Sequence, residues 1–417
     1  MNTKYASSPV LDTRAEAEDS TPTAPTRAAV ASGVTARVLK TFAELEEVRA
    51  AWTAWQGHPD SDIDFLRMLV ESREEIISPY VVVVSRGGQP DALMVGRLER
   101  REIRYRIGYL PVFKARARGI SFQYGGLRGN PSDENCREII LAILESLKSG
   151  EADVATLDYP STDSLLYKHA RSAPGFLARD LLPVPQPRHR MRLQARFEEV
   201  FQALSGSHRQ SLRSQAKKIE QKLSGRMKVH CFREPDELEV GIRTVEEVAR
   251  KTYHRGLGVG FDDNPRSRRM MQFHAENGRL RMYVLFDGDA PIAFWAGVVH
   301  NGWYYSDHTG FDPEYRDCSP GNYLFVKMIE EFCKEGLQGI DFGLGDARYK
   351  QRFGNHAFEE SCVTLFAPRP KGLAIKFVHA TTAAVSVALK TILSRGNLVD
   401  KLKRRWRDRL ARRNAES

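Results

Sequence analysis

Cysteine is scarce in this chain and poorly spaced for any structural use. Its 417 residues hold five cysteines, Cys136, Cys231, Cys318, Cys333 and Cys362, an odd number scattered widely. With no CxxC and no Cys/His ligand spacing, neither a disulfide framework nor a zinc site is indicated, and no metal is expected. The thiols read as free, in a reducing compartment. Long apolar runs are absent too. The nearest approach, Phe377 to Leu389, is interrupted by His379, Thr381, Thr382 and Ser386 and falls short of the roughly 20 residues a span requires. Residues 1 to about 32, rich in Ala, Thr and Ser, lack the apolar stretch of a signal peptide and read as a disordered tail. A cytoplasmic protein, not integral to a membrane, is the expectation.

What is present suits a globular chain. Hydrophobic residues make up 41% of the sequence, and the length predicts two domains with tails. The net charge of +10 is concentrated in two places. Ser205–Lys228 carries +6 and Gly396–Ser417 carries +5, leaving the remainder near neutral. Two local basic elements, rather than a basic protein, require explanation.

Apolar spacing predicts a helix over Phe42–Trp55. Tyr80–Ser85, Asp91–Glu99, Ile103–Tyr109 and Ile120–Tyr124 read as strands, followed by a helix over Pro131–Ser149 that Gly150 ends and a strand over Val154–Tyr159. Another helix starts near Ser161 or Thr162. Leu182–Arg190, with Pro183, Pro185 and Pro187, cannot be helical and reads as a linker. The second half repeats this order. Leu280–Phe286, Ile292–His300 and Trp303–Phe311 are strands joined at Asp287-Gly288 and Asn301-Gly302. A helix over Ser319–Glu335 and strands over Gly339–Gly343 and Cys362–Phe366 follow. The fold class is therefore α/β (α+β), two tandem domains that each have a mixed, mostly antiparallel sheet flanked by helices. The boundaries are a tail over 1–36, a domain over 37–181, a linker over 182–190, a domain over 191–370 and a helical basic extension over 371–417.

Two stretches carry chemistry. In the first, a strand runs from Tyr304 into a loop that delivers Arg316 and then Ser319-Pro320-Gly321-Asn322 at a helix start. Proline suits the first helical turn, and glycine leaves the backbone open to a ligand. Free N–H groups, the helix dipole and the Arg316 fork favour an anion such as a diphosphate, although the same residues also make an ordinary helix start. The matching helix of the first half begins Asn130-Pro-Ser-Asp133-Glu134, whose carboxylates would repel a phosphate. In the second stretch, Gly339-Ile-Asp341-Phe-Gly343-Leu-Gly345-Asp346 passes into a short helix bearing Tyr349 and Lys350. Asp341 could accept a proton from an attacking amine or hydroxyl, Tyr349 could return one to a leaving thiolate, and Lys350 could steady the charge between. A plain turn with surface charges is the other reading. Asp307 and His308 lie near a strand end, and of this pair Asp307 is the candidate, with His254, His308 and His356 read as structural.

Together these stretches resemble the GNAT superfamily, and within it the tandem CelD-like acetyltransferases, which are related in fold to the FemAB aminoacyltransferases. The resemblance rests on Gly288 with Ile292-Ala293 in a hairpin, Asp312-Pro-Glu-Tyr, Ser319-Pro-Gly, and Asp341-Phe-Gly with Gly345-Asp346 and Tyr349-Lys350. It covers roughly residues 190–368, and the first half fits by element order alone. It implies a bacterial N- or O-acyltransferase that uses acetyl-CoA or another acyl-CoA, with Arg316, Ser319, Gly321 and Asn322 on the CoA pyrophosphate. The longer glycine-bearing phosphate loop of ordinary GNAT enzymes is reduced here. FemAB proteins use aminoacyl-tRNA, which stands as the alternative donor. A non-catalytic precursor-binding protein is the reading from another class.

The helix around Ser207–Lys222 sets Arg209, Arg213 and Lys217 on one face and Leu212, Ala216, Ile219 and Leu223 on another. Arg213 and Lys217, with Asp346, are the candidate acceptor contacts if this face is more than a solvated one. The acceptor is left open among amino sugars, polysaccharide or lipid-linked precursors and peptides. Near the C-terminus Val399, Leu402, Trp406 and Leu410 form an apolar stripe flanked by basic residues. That pattern suits either peripheral contact with an anionic membrane at its inner face or docking onto the protein itself. RNA is disfavoured, since a single Trp offers little stacking.

Overall fold

The computed structural model describes residues 33–107, 110–252, 255 and 260–394. The expected tail up to residue 32, His254 and the basic stripe from Val399 to Leu410 lie outside the described residues. The described residues divide into two compact units, 187–358 forming one and 33–186 joining 359–394 in the other.

The first unit contains β1 (Val34–Leu39), β2 (Ile76–Arg86), β3 (Gln89–Ile107), β4 (Leu110–Gly129) and β5 (Val154–Leu157). β1 to β4 run antiparallel in sequence, and β5 lies parallel to β4. The buried run Tyr80-Val81-Val82-Val83-Val84 explains why this sheet has helices on both faces, because alternate residues need separate cover. Tyr80, Val82 and Val84 join the cluster with Ile139, Ile140, Ile143 and Leu147 of helix Asp133–Ser149. Val81 and Val83 join Leu45, Val48, Trp52 and Leu66 of helices Phe42–Ala54 and Ile63–Ser72. Burying each such aliphatic side chain contributes about 1.5–3 kcal/mol. Thr41 and Glu44 form a capping box at the start of the first helix, and Gly150 ends the helix of residues 133–149 in the left-handed conformation at φ 87°.

The second unit contains β6 (Gln186–Arg192), β7 (Met227–Phe232), β8 (Leu280–Asp287), β9 (Ala290–His300), β10 (Trp303–Phe311), β11 (Gly339–Leu344) and β12 (His356–Glu360). Their order across the sheet is β12-β6-β11-β10-β9-β8-β7. One face of this sheet presents Tyr283, Leu285, Trp295, Tyr304 and Phe342 to helices Gly206–Leu223 and Pro320–Lys334. The other presents Met282, Val284, Phe294 and Ala296 to helices Leu238–Lys251 and Pro265–Glu276. The two sheets share a layout of four antiparallel strands, a parallel fifth and an antiparallel sixth, and only the sixth departs from the expected element order.

Several elements depart from the sequence reading. The strands expected separately at Asp91–Glu99 and Ile103–Tyr109 are one strand, β3, paired along most of its length with the equally long β4. β1 begins at Val34, inside the expected tail. The expected linker is a strand over its second half, since β6 pairs Met191 with Ile340 and Arg190 with Asp341. Pro183 and Pro185 precede β6, and Pro187 sits near its start, where a missing N–H is tolerated. Finally β13 (Val363–Phe366), expected in the second sheet, pairs antiparallel with β5 in the first, Val363 opposite Leu157. Val363, Leu365 and Phe366 are fully buried there, so the sheet of the first unit is completed from the far end of the chain. Among the described residues no helix is long and apolar enough to cross a membrane.

Candidate active site

β10 and β11 are paired only over Trp303–Tyr305 and Gly339–Asp341. Beyond that the strands part. β10 stays with β9 as far as Phe311 but shifts register between Ser306 and His308, which makes Asp307 the extra residue of a bulge. β11 instead ends in a turn whose Gly343 and Gly345 take φ 68° and 100°, values that strain any residue with a side chain. A wedge opens between the two strands.

Trp295 of β9 lies at the centre of this region. Its ring stacks on Phe325 with centroids 4.6 Å apart, and Tyr349 stands edge-on to it at 5.4 Å. Its indole N–H donates to the Gly321 carbonyl at 3.2 Å, which ties the helix start to the sheet. Tyr349 also meets Phe342 at 6.0 Å. Tyr304 is fully buried, and its hydroxyl makes no hydrogen bond among the described residues. Burial first, then the Asp307 charge, with Tyr349 among the lesser causes, hold Tyr304 well above its usual value. Asp307 and Tyr349 both lie within electrostatic reach of Tyr304, and Asp307 is exposed.

The expected anion-binding residues also come together. Ser319 starts helix Pro320–Lys334 at φ 53°, without a side-chain cap. A Cβ placed on Gly321 would meet only Phe311 Cδ1, at 3.9 Å, so the approach to this backbone is open. The Asn322 N–H donates to the Ser319 carbonyl at 3.1 Å, and the Asn322 side chain donates to Gln215 Oε1 at 3.0 Å. Arg316 is exposed and makes no ion pair among the described residues. Its acidic neighbour Asp317 is neutralised from the basic helix Gly206–Leu223, Lys222 Nζ lying 3.0 Å from Oδ1 and Lys218 Nζ donating to the Asp317 carbonyl at 2.8 Å. That helix therefore borders the loop that the sequence suggests for an anion. Lys217 is exposed, and Arg213 lies over the Phe201 ring at 5.4 Å.

Asp341 and Lys350, expected to act on substrate, are both buried and paired within the fold. Asp341 is 1% exposed, and its carboxylate accepts Arg188 Nε at 2.8 Å, Arg190 Nε at 2.7 Å and the Gly343 N–H at 2.8 Å. A carboxylate so enclosed holds the strand end in place and has no oxygen to spare for an acceptor. Lys350, nine residues on in the sequence, instead donates to the Leu344 carbonyl at 2.6 Å and closes the turn after β11. Asp346 takes His189 at 3.2 Å and Gln351 at 2.5 Å. His308 stands edge-on to Phe261 at 5.7 Å and His356 lies 5.4 Å from Phe358. Arg188, Arg190 and Trp295 escape sequence reasoning. The alternation of Arg188, Arg190 and Arg192 with His189, Met191 and Leu193 has the period of a strand, a signal hidden by the prolines before it.

Burial, and then Arg188, push Lys350 down from 10.5 to about 7, with Asp341 opposing. Since the folded value lies below the unfolded one, stability is lost as pH falls through about 7 and regained as pH rises toward 10.5. The urea midpoint should therefore climb between neutral pH and pH 9, and Lys350→Met should flatten that climb. Parallel profiles for both proteins would show that Lys350 is not the titrating group.

Residues 206–351 match the model of the acetyltransferase (GNAT) domain family. No curated protein matches the chain by sequence. Among solved structures, FemX aligns at 12% identity over 79% of this chain and 98% of its own, with a TM-score of 0.53. L-PGS from Bacillus licheniformis aligns at 11% identity over 78% and 97%, with a TM-score of 0.45. A tandem GNAT protein from the clavulanic acid biosynthesis pathway aligns at 11% identity over 80% and 99%, with a TM-score of 0.43. Residues 206–351 therefore match a GNAT acetyltransferase domain, in a chain whose two-sheet fold is similar to that of FemX.

Proposed function

We propose that the chain transfers an acyl group, acetyl being the simplest, from acyl-CoA to an amine or hydroxyl on a small or glycan- or lipid-linked acceptor. The observation that carries this reading is the wedge between β10 and β11, which leads from Trp295 and Tyr349 to the open helix start at Gly321. Arg316 and that helix start would hold the pyrophosphate of CoA, and the aromatic wall suits the thioester end. Asp307, exposed at the bulge, would accept the proton of the attacking nucleophile. Tyr349 would give one to the departing thiolate. Asp341 and Lys350 keep the turn below Tyr349 in shape. Arg213, Lys217 and Asp346 remain the acceptor contacts in this proposal. The basic segment beyond Gly396, by its sequence, offers peripheral contact with an anionic membrane at the cytoplasmic face.

Calorimetry with acetyl-CoA tests the donor. Arg316→Ala and Gly321→Glu should each weaken binding about 10-fold or more, the scale of a lost charge-assisted hydrogen bond or an introduced like charge. Asp307→Asn should leave affinity unchanged while turnover falls about 100-fold. Unchanged CoA affinity in both binding variants would remove the site, and a wild type that binds no CoA would turn the donor to aminoacyl-tRNA.

A further inference from the structure

β3 and β4 continue past the core of the first unit as a two-stranded arm. Leu98 and Ile120, which face one another across the pair, still lie in the cluster with helix Asp133–Ser149. Further out the two faces of the arm differ. One presents Ile103, Tyr105, Ala115 and Ala117 to Ile375 and Val378 of helix Pro370–Ser394. Alternation puts Arg100, Glu102, Arg104, Lys114, Arg116 and Arg118 on the other. There Arg100, Lys114, Arg116 and Arg118 are exposed.

The strand register sets like charges directly opposite one another, Arg100 facing Arg118 and Arg104 facing Lys114. Such pairs destabilise a sheet. The single acid of the row, Glu102, is shared between Arg104 at 2.6 Å and Lys114 at 3.4 Å. Arg100, Arg116 and Arg118 make no ion pair among the described residues. The acids at the root of the arm are engaged or set back from the row. Asp153 accepts the Arg118 N–H at 2.8 Å and pairs with Lys371 at 2.8 Å. Glu74 and Glu75 stand where the Arg100 N–H donates to the Glu75 carbonyl at 2.8 Å. Five cations, spaced roughly 7 Å apart along each strand, are thus open to a group from outside the chain.

The form of this face selects among polyanions. A bare two-stranded ribbon can enter the major groove of DNA, but a helix backs this one and makes it too thick. No aromatic side chain stands among the cations to stack a base, since Phe113 is turned to Tyr105 on the other face at 6.2 Å. A layer of anionic headgroups requires neither a groove nor a stacking platform, and clusters of four or more Lys and Arg are its usual match. Helix Pro370–Ser394 also leads from the arm toward the segment beyond Gly396, whose net charge is +5. We propose that the outer face of the β3–β4 arm docks on an anionic lipid surface through Arg100, Arg104, Lys114, Arg116 and Arg118. Lipid contact then belongs to the body of the first unit as well as to the basic C-terminal segment, and it does not depend on acyl transfer.

Sedimentation of the full chain with phosphatidylcholine vesicles, with and without phosphatidylglycerol, tests this. The anionic vesicles should bind the protein and the neutral ones should not, and added salt should weaken binding. Arg118→Glu changes two charges and should weaken the partition about 10-fold or more, and adding Arg116→Gln should bring the loss to about 100-fold. Arg118→Glu also sets a carboxylate opposite Arg100, so its melting temperature should equal or exceed that of the wild type while its binding falls. A merely structural role for these arginines would not move the two readouts apart. Unchanged partition in the double variant would overturn the proposal and leave any lipid contact to the C-terminal segment. Equal binding to neutral vesicles would overturn it too. So would duplex RNA that binds more tightly than the anionic vesicles at the same salt and loses affinity in the same variants, which would make the occupant a nucleic acid.

Discussion

Asp341→Asn should cost the second unit about 3–5 kcal/mol of stability, the usual consequence of removing one partner from a buried ion pair. The carboxylate is enclosed by Arg188, Arg190 and the Gly343 N–H, and the amide that replaces it cannot balance the guanidinium charge of Arg188, itself 5% exposed. Arg190 is less affected, since it is partly exposed and also lies over the Phe358 ring at 4.9 Å. Adding Arg188→Met should therefore recover much of the loss. The pH dependence agrees in sign. Burial raises the Asp341 pKa, but Arg188 and Arg190 together hold it below the usual value, so its stabilising effect is present at neutral pH and is lost as pH falls through the folded value. Chemical denaturation reads all of this directly. A reacting carboxylate would behave oppositely, with Asp341→Asn leaving the melting temperature alone and lowering turnover about 100-fold.

The fragment 187–358 should fold alone with a cooperative transition, whereas 33–186 and 191–370 should not. The second of these failures follows from the first prediction. Starting at residue 191 removes Arg188 and Arg190, which strands a buried Asp341 and leaves β11 without most of its β6 partner. The fragment 33–186 loses β13, whose Val363, Leu365 and Phe366 cover the outer edge of β5. Joining Glu359–Arg395 to it through a flexible linker should restore folding. Circular dichroism and amide exchange on the fragments decide the matter, and a well-folded 33–186 would show that β13 is dispensable.

The layers of both sheets are legible in the sequence because local rules suffice for them. Alternation and the Asp287-Gly288 and Asn301-Gly302 turns announce β8, β9 and β10, and Gly288, Asn301 and Gly302 take φ values of 62°, 47° and 74° there. Ser319-Pro-Gly announces the helix start, and the helix begins at Pro320. Pairing over long distances is not legible. Lys334, Arg348 and Lys350 all lie within nine residues of Asp341, yet Arg188, 153 residues away, reaches the carboxylate through the register of β6. Trp295 reads as one more apolar strand residue, and only the crossing of Phe325, Tyr349 and the Gly321 carbonyl at its ring shows its place.

The pairing of β5 with β13 also sets a clock. Val363 lies opposite Leu157, so about 200 residues must be made before the first sheet can close. At the pace of the ribosome that interval lasts roughly 10–40 s. Throughout it the outer edge of β5 is an unpaired strand of apolar residues, open to any other strand that passes. The second unit emerges during this wait and can form before the first is finished. Synthesis of this chain therefore reverses the common order, the N-terminal unit being begun first and completed last, and its nascent form is the species most exposed to aggregation and to chaperone capture.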